Sequence, residues 1–558
     1  MQPRINHQPS DRDKAPWKAV ALFALLAIWL FSGIVGRGPW KPDEPIHLGV
    51  LHSMVASGGD AWWSPQVAGV VLRGELPFLH WLNALLAYVP NLLLPLHESA
   101  RLSSVLWAAL AIAAIALACR RWSGGHISYL AAILVIGCLG VYDRLHSYVP
   151  EVAVFAAIAL ALYAAAELAH NTARATSVFV AAIALAFMAR STLGYLLVAL
   201  PIALLAFAPV YSMHRVALVR AVVLATLLCG AMLIAFALRA PLAWSAWLES
   251  GAGLFIESRT RFTPTYYLVT LLWFAWPVWP IAAWLVSLRV RGFAGGWQRG
   301  EVIAPLMFLV VGLLILMALA EPRTVYCLFV VPPLAVLAAF GVDTIRRTWY
   351  AMIDWFGILV LGIATLGLVL VSTGLYFGWP AAVSKWVAKF VPLYDTSQVP
   401  WLGYAMALVG FIICLALIQP AHQHSRRALI NWAGCVTFAW VVAQGLLISP
   451  ADHVTSYRGA FAALDKAWPK TGCVESVGLS TGQAAMLNYY YQRTTQPLTE
   501  LGEAKCPFLL VQRWRNQPAA PPSEQFTLRV KTARPGDRSE RYELYYRNTA
   551  ADAAKATP

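Results

Sequence analysis

The sequence predicts a polytopic α-helical membrane protein of about thirteen transmembrane helices, followed by a small C-terminal extracytoplasmic α/β domain. Three observations carry that expectation. Hydrophobic residues make up 59% of the 558-residue chain and charged residues only 12%, with a mean hydropathy of +0.62, whereas a water-facing surface needs roughly a quarter charged residues. Apolar runs long enough to cross about 30 Å of hydrocarbon recur through residues 1–450. Lys and Arg gather in the short connections between those runs, which is how orientation is written in a membrane protein.

The runs fall at 17–36, 99–119, 127–142, 151–169, 175–189, 192–211, 216–238, 266–288, 302–320, 325–342, 354–377, 401–419 and 430–449. The break between Met188 and Gly194 is the weakest boundary. Every second connection is basic: Arg120-Arg121, Arg174, Arg215, Arg289 to Arg291 with Arg299, Arg346-Arg347 and Arg426-Arg427. The tail adds Arg4, Arg12, Lys14 and Lys18, so the N-terminus is expected in the cytoplasm. An odd number of spans then puts 451–558 outside. The first span is too long for a cleaved signal and lacks a small-residue cleavage site. The net charge of +15 is thereby accounted for by orientation, and nucleic-acid binding is not expected.

The first outer connection, 37–98, carries Trp62-Trp63 and amphipathic stretches near 45–57 and 79–95, which read as helices along the interface. Residues 239–265 and 378–400 are similar, with Trp244, Trp247, Lys385-Trp386 and Lys389. Beyond about 452 charge rises, and Phe508 to Val511 and Tyr542 to Tyr546 read as strands. About 100 residues can bury a core of their own. Of eight cysteines, six lie in or beside apolar runs as small hydrophobes. The other two, Cys473 and Cys506, would be free to pair as a disulfide in an extracytoplasmic tail; two free thiols are the alternative. No CxxC, Cys/His metal spacing, P-loop, strand-to-helix GxGxxG or metal-binding His pair occurs, which leaves ATP-driven transport and nicotinamide chemistry unsupported.

Chemistry-capable residues concentrate on the predicted outer face. Trp40-Lys41-Pro42-Asp43-Glu44-Pro45 places two carboxylates between prolines just past the first span. Asp43 reads either as a helix cap or, with Glu44, as a general base or electrostatic stabiliser at a sugar-transfer site. Glu75 follows in the same loop, with pairing to Arg73 as the plain alternative. Glu151 opens the fourth span after His146-Ser147-Tyr148-Val149-Pro150, where a first-turn acid also suits the helix dipole. Asp143 and Arg144 nearby read as a pair. Arg190 and Arg323 are arginines on the wrong side for orientation, and a guanidinium fork suits a phosphate leaving group. Tyr326 is placed to hydrogen-bond a phosphate oxygen or to sit as an interfacial aromatic. Arg259 and Arg261 are further cations for that phosphate, and His47, Arg73 and His146 complete the cavity.

These residues resemble the lipid A aminoarabinose transferases and the wider protein O-mannosyltransferase-like superfamily of GT-C glycosyltransferases, over essentially the whole membrane region. The marks are Pro42-Asp43-Glu44, Glu75-Leu76-Pro77, Glu151 at the head of the fourth span, Arg190-Ser191, the Tyr326 to Pro333 run, and Tyr266-Tyr267 through Trp273 to Pro277. Leu76 stands where that family has lysine, Arg190 replaces a lysine, Glu151 an aspartate, and Ile46 and His47 replace arginine and tyrosine. Arg73 or His47 is then the candidate substitute for the missing cation. The resemblance implies thirteen spans, a soluble periplasmic C-terminal domain, a bacterial inner-membrane location and a polyprenyl (undecaprenyl) phosphate sugar donor. The sugar passes with inversion to a periplasmic-side acceptor, lipid A or another glycolipid. Asp43 would act as base or position the acceptor, and Arg190, Arg323 and Tyr326 would hold the donor phosphate. No cofactor or metal is required, although the clustered acids could bind a divalent cation, and a monomer is expected. Protein O-glycosylation on the same scaffold is the nearest alternative. A lipid-linked sugar flippase or transporter is more distant, because transport sites favour the midplane and inverted repeats.

Overall fold

The structure, a computed structural model, describes residues 16–125, 127–254, 264–417, 425–498, 505–514, 526–537 and 539–547, excepting the side chains of 16–19, 294, 360, 361 and 413–417. Apolar chain in lipid must satisfy its backbone groups internally, so helices dominate the first 455 residues. Among the described residues seven helical stretches are long and apolar enough to cross a membrane, or eight if the bent pair Pro264–Phe274 and Val278–Val290 is one span. The expected thirteen is not reached by that measure of length and composition among the described residues. Residues 127–142 give only the nine-residue helix Ser128–Ile136, too short to span at 1.5 Å per residue. The expected fifth and sixth spans are two helices within Thr172–Leu205, separated by non-helical backbone at Arg190 and Ser191.

That interruption is a sharp reversal. A Cβ on Gly194 would lie 1.9 Å from the Ala186 carbonyl oxygen, and the Phe187 and Tyr195 rings are 6.5 Å apart. Eight residues of straight helix would separate such groups by about 12 Å. Only glycine fits at 194, and Ser191 pays with a φ of +49°, a region that costs an L-residue energy and recurs at functional sites. Arg190 therefore stands at the tip of a turn.

The centre of the bundle is built from small residues. The helix Glu151–Glu167 is buried along its length and rich in alanine, which lets the helices Leu96–Ser123 and Thr172–Leu205 approach closely. The stretch Thr324–Thr344 is 94% buried, against 22% for Pro209–Arg239, so Arg323 and Tyr326 begin a central element rather than a peripheral one. At the end of the bundle opposite to them, Arg121 and Arg174 pair with Glu167 at 2.7 and 3.4 Å.

The first long connection holds the helix Glu44–Ser57, the short hairpin β1 (Gln66–Val67) and β2 (Val70–Val71), and the helix Phe78–Tyr88. These match the two expected amphipathic stretches. The last long helix runs on to Thr455, through Pro450, so the expected boundary at 450/451 lies inside it. After it come β3 (Val474–Val477), the helix Thr481–Tyr491, β4 (Gln496–Pro497), β5 (Phe508–Trp514), β6 (Phe526–Thr532) and β7 (Glu540–Arg547). They form a mixed sheet of order β4-β3-β5-β7-β6. Both strands expected from the sequence lie in it, as β5 and β7.

Cys473 and Cys506 are disulfide-bonded, with Cα atoms 5.4 Å apart and 33 residues between them in sequence. The bridge joins the entries of β3 and β5. In the chain-entropy account a loop of that length contributes about 3–4 kcal/mol. Cys473→Ser is therefore expected to open residues 456–547 to limited proteolysis under conditions where the wild-type chain is uncut there. Equal resistance of the two would show the bridge to be dispensable.

Candidate active site

Pro45 lies in the first turn of the helix Glu44–Ser57, where its missing N–H is no loss. Asp43 holds the N-cap position, yet its side chain makes no capping bond. The carboxylate is buried and pairs instead with the Arg323 guanidinium, 280 residues along the chain. That disposes of capping as its role.

Glu44, one residue on, faces the other way and is fully engaged. Arg101 Nε donates to Oε1 at 2.6 Å and Nη2 to Oε2 at 3.2 Å. Arg37 Nη1 donates to Oε2 at 3.0 Å, and the backbone N–H groups of Trp40 and Tyr148 donate at 3.2 and 3.1 Å. Burial alone would raise this carboxyl, but the charges of Arg101 and Arg37 and these hydrogen bonds hold it at about 2. With all its lone pairs occupied, Glu44 is placed as an anchor of the loop rather than beside Asp43 as a second reactive acid. Arg101 and Arg37 were not singled out in the sequence. For Arg101 the signal available was an arginine inside an apolar run, which is rare unless paired.

The second cluster surrounds Arg190. Its Nη2 donates to the Tyr326 hydroxyl, and the guanidinium carbon lies 5.3 Å from the Tyr326 ring centroid. Arg190 Nη1 is 3.6 Å from Glu75 Oε1 and Nε is 3.6 Å from Glu151 Oε1. Arg323 also lies by the Tyr326 ring, its guanidinium carbon 5.6 Å from the centroid. Asp43, Arg323, Tyr326, Arg190, Glu75 and Glu151 thus form one continuous chain of contacts. Glu151 is wholly buried and neither carboxylate oxygen has a hydrogen-bond partner. A cleft with room for about one water molecule lies between Gly74, Glu75, Leu76, Arg190, Ser191 and Gly253. Trp247 Nε1 donates to Ser191 Oγ at 2.8 Å, and Thr192 Oγ1 donates to the Ala252 carbonyl at 2.7 Å, so the Arg190 turn is braced by the 241–254 segment.

Glu75 is not paired with Arg73. Arg73 is exposed, 3.9 Å from Glu249, so it does not stand in for a cation at Leu76, whose side chain is buried among Phe78, Phe187 and Phe236. The other oxygen of Glu75 faces His80 Nε2 at 3.9 Å. Burial would raise the Glu75 carboxyl, but the nearby His80, His47 and Arg190 hold it at about 2. His47 is buried and stacked on His80 with centroids 6.1 Å apart, and burial drives it down to about 4. His146 lies away from the cleft, its ring nitrogens bonded to the Trp29 and Tyr142 carbonyls. Asp143 and Arg144 pair at 3.5 Å as expected. Arg259 and Arg261 lie outside the described residues.

The Asp43 segment is also held from the last long helix and from the C-terminal sheet. Asp452 Oδ1 accepts from Gly38 N–H at 2.7 Å and from Trp40 Nε1 at 2.8 Å, and Lys41 Nζ meets Glu540 Oε1 at 2.9 Å. The helix Thr481–Tyr491 packs on Glu44–Ser57 through Leu48, Leu51, Met486 and Leu487.

No protein-family model and no curated protein sequence matches the chain. Solved structures do. ArnT from Cupriavidus metallidurans bound to undecaprenyl phosphate aligns with a TM-score of 0.67 at 16% identity, over 95% of this chain and 98% of that one. The apo form of the same protein gives 0.67 at 14%, over 98% and 100%. The oligosaccharyltransferase AglB from Archaeoglobus fulgidus, in complex with an inhibitory peptide and a dolichol-phosphate, gives 0.48 at 13%, over 87% and 64%. Over nearly its whole length, the chain has the fold of ArnT, a GT-C fold.

Proposed function

We propose that this chain is an inverting glycosyltransferase that moves a sugar from a polyprenyl (undecaprenyl) phosphate donor to lipid A or another glycolipid on the periplasmic side of a bacterial inner membrane. The observation that carries the reading is the contact chain Asp43–Arg323–Tyr326–Arg190 at one end of the bundle, in a fold shared with a protein bound to undecaprenyl phosphate. Residues 451–558 are read as the periplasmic unit, and the N-terminus as cytoplasmic.

The phosphate is a good leaving group once its charge is neutralised, so the protein's task is positioning and electrostatics. Arg190 and Tyr326 supply donors from buried positions, and Arg323, the more exposed arginine, meets the phosphate first. In moving to it, Arg323 releases Asp43. The freed carboxylate takes the proton of the acceptor hydroxyl as that oxygen attacks the anomeric carbon opposite the departing phosphate. Glu75 and Glu151 hold the Arg190 fork from two sides.

In a deletion strain, lipid A and core-glycolipid mass spectra are expected to regain a sugar-sized mass with the wild-type gene and not with Asp43→Asn or Arg323→Ala. Loss of a base is worth about 10²- to 10⁴-fold, enough to empty that peak. Normal transfer by both variants would remove this site. Spectra unchanged by the wild type would move the acceptor to protein, to be sought as glycopeptides.

A further inference from the structure

Four helical elements bring their ends together at the side of the bundle away from Arg190. They are the end of Leu96–Ser123, the end of Val278–Val290, the start of Gly300–Leu319 and the end of the stretch Thr324–Thr344. Trp122, Arg289, Arg299, Glu301, Phe340 and Asp343 from these ends line a cavity of about 310 Å³, against about 10–15 Å³ for one ordered water. Tyr326 begins the last of those stretches and Asp343 ends it. About 25 Å of helix therefore separates this cavity from the Arg190 cluster.

The cavity wall is charged, with cations in excess. Glu301 is buried and shared by two guanidinium groups, Arg299 Nε at 2.7 Å and Arg289 Nη2 at 3.6 Å. Asp343 accepts from Arg426 Nε at 2.7 Å and Nη2 at 2.6 Å. Three arginines thus meet two carboxylates, and residues 291–299 and 344–347 add Arg291, Arg346 and Arg347 but no acid. Basic connections orient a membrane protein wherever in a loop they fall. Orientation does not call for one of them on a cavity wall, yet Arg289 is only 8% exposed. A buried guanidinium is costly unless negative charge meets it, and here one carboxylate serves two. The connection between Arg289 and Arg299 also presents Val290, Phe293 and Trp297, exposed by 66, 60 and 48%. Large apolar side chains between arginines suit the boundary of lipid and water, as does Trp122 on the wall.

We propose that this cavity binds a phosphate group, that of an anionic phospholipid of the surrounding leaflet, with Arg289 and Arg299 as its donors. A guanidinium fork matches phosphate oxygens, and Val290, Phe293 and Trp297 lie where the acyl chains would run. Basic pockets between helices on the cytoplasmic side are an ordinary place for such head groups, and this end is the one read as cytoplasmic. The bound phosphodiester would balance the charge at Arg289 and brace four helix ends against one another. The inference rests on the chain's spanning a membrane and not on the transfer reading.

The test is lipid affinity. The full chain, delipidated in neutral detergent, is titrated with phosphatidylglycerol and with phosphatidylcholine, and bound lipid is read by native mass spectrometry. Inorganic phosphate is followed by radiolabel in equilibrium dialysis. Wild type is expected to prefer phosphatidylglycerol by at least about ten-fold, which one charge-assisted fork supplies. Arg289→Gln with Arg299→Gln is expected to abolish that preference. Arg120→Gln with Arg215→Gln, which removes two exposed arginines outside the cavity wall, is expected to keep it. Equal loss in both pairs, or no preference in wild type, overturns the proposal. Saturable binding of inorganic phosphate without a preference for phosphatidylglycerol would keep the phosphate site and overturn the lipid as its occupant. Should the first pair not give a monodisperse peak, Arg299→Gln alone decides, since that side chain is 53% exposed. It is expected to lower the preference roughly three-fold, half of the ten-fold loss in free energy, and an unchanged preference sinks the proposal. Transfer is not measured, so failure here leaves the glycosyltransferase reading untouched.

Discussion

Arg190→Ala is expected to lower the single-turnover rate of sugar transfer by at least about 10³-fold while the protein still inserts and purifies intact. Removing one preorganised donor from a site of developing negative charge is worth about 10²- to 10³-fold by itself. Here the loss is compounded. Arg190 is the shared partner of Glu75 and Glu151, each 3.6 Å away, and of the Tyr326 hydroxyl. Without it, the buried Glu151 and the partly buried Glu75 would face the position proposed for a phosphate with no cation between them. Arg190→Lys keeps the charge but loses the fork, and one ammonium cannot reach Glu75, Glu151 and Tyr326 together. It is expected to fall between wild type and alanine. Adding Glu75→Gln to Arg190→Ala should restore part of the rate by relieving the repulsion. The assay uses a synthetic polyprenyl-phosphate sugar in detergent, followed by release of the lipid phosphate. A rate for Arg190→Ala within ten-fold of wild type would show that the phosphate is held elsewhere.

The parts of this arrangement legible in the sequence are those where a local pattern has one physical cause. The helix Glu44–Ser57 and the strands at 508 and 542 follow from periodicity and flanking turns. Arg190 and Arg323 announced themselves as cations on the wrong face. Sequence adjacency misled at Asp43-Glu44. At the start of a helix consecutive side chains point about 100° apart, so one acid reaches Arg323 and the other is taken inward by Arg37 and Arg101. The same limit hid His80. It sits five residues from Glu75 and 33 from His47, a spacing with no local signature, and the three meet only because the helices Glu44–Ser57 and Phe78–Tyr88 start at one place. Pairing of Glu75 with Arg73, the plain alternative two residues away, does not occur, because the buried Leu76 turns Glu75 inward while Arg73 stays in solvent. At the expected third span hydrophobicity outruns helix length, since Ser128–Ile136 has only nine residues.

Arg101→Ala is expected to be the most damaging substitution to folding among the buried charges near the site. Arg101 is fully buried, and all three of its guanidinium nitrogens are engaged: with both Glu44 oxygens, and with the carbonyls of Ile34, Arg37 and Gly38 at 3.1, 2.8 and 2.6 Å. Truncation takes a donor from each of three carbonyls and two of the five donors from the buried Glu44 carboxylate. Breaking a buried pair from one side costs about 3–5 kcal/mol. Glu44→Gln is milder, because an amide still accepts one bond and leaves no stranded anion; the double variant Glu44→Gln, Arg101→Gln is expected to be less harmed than Arg101→Ala, with the shortfall measuring the coupling. The pH dependence has a definite sign. The Glu44 carboxyl is depressed in the folded chain to about 2 from an ordinary 4.5, so its stabilisation is complete above pH 4.5 and drains away as pH falls towards 2. Thermal inactivation of the detergent-solubilised protein should therefore steepen below pH 4.5 for wild type and less so for Glu44→Gln. The same network fixes the backbone from Gly38 to Glu44 that delivers Asp43 to Arg323. At a temperature where Glu44→Gln remains folded, its transfer rate should fall while its affinity for the polyprenyl phosphate stays near that of wild type. A variant that melts early yet transfers at the full rate would make Glu44 a matter of stability alone and leave Asp43 positioned by its own contact with Arg323.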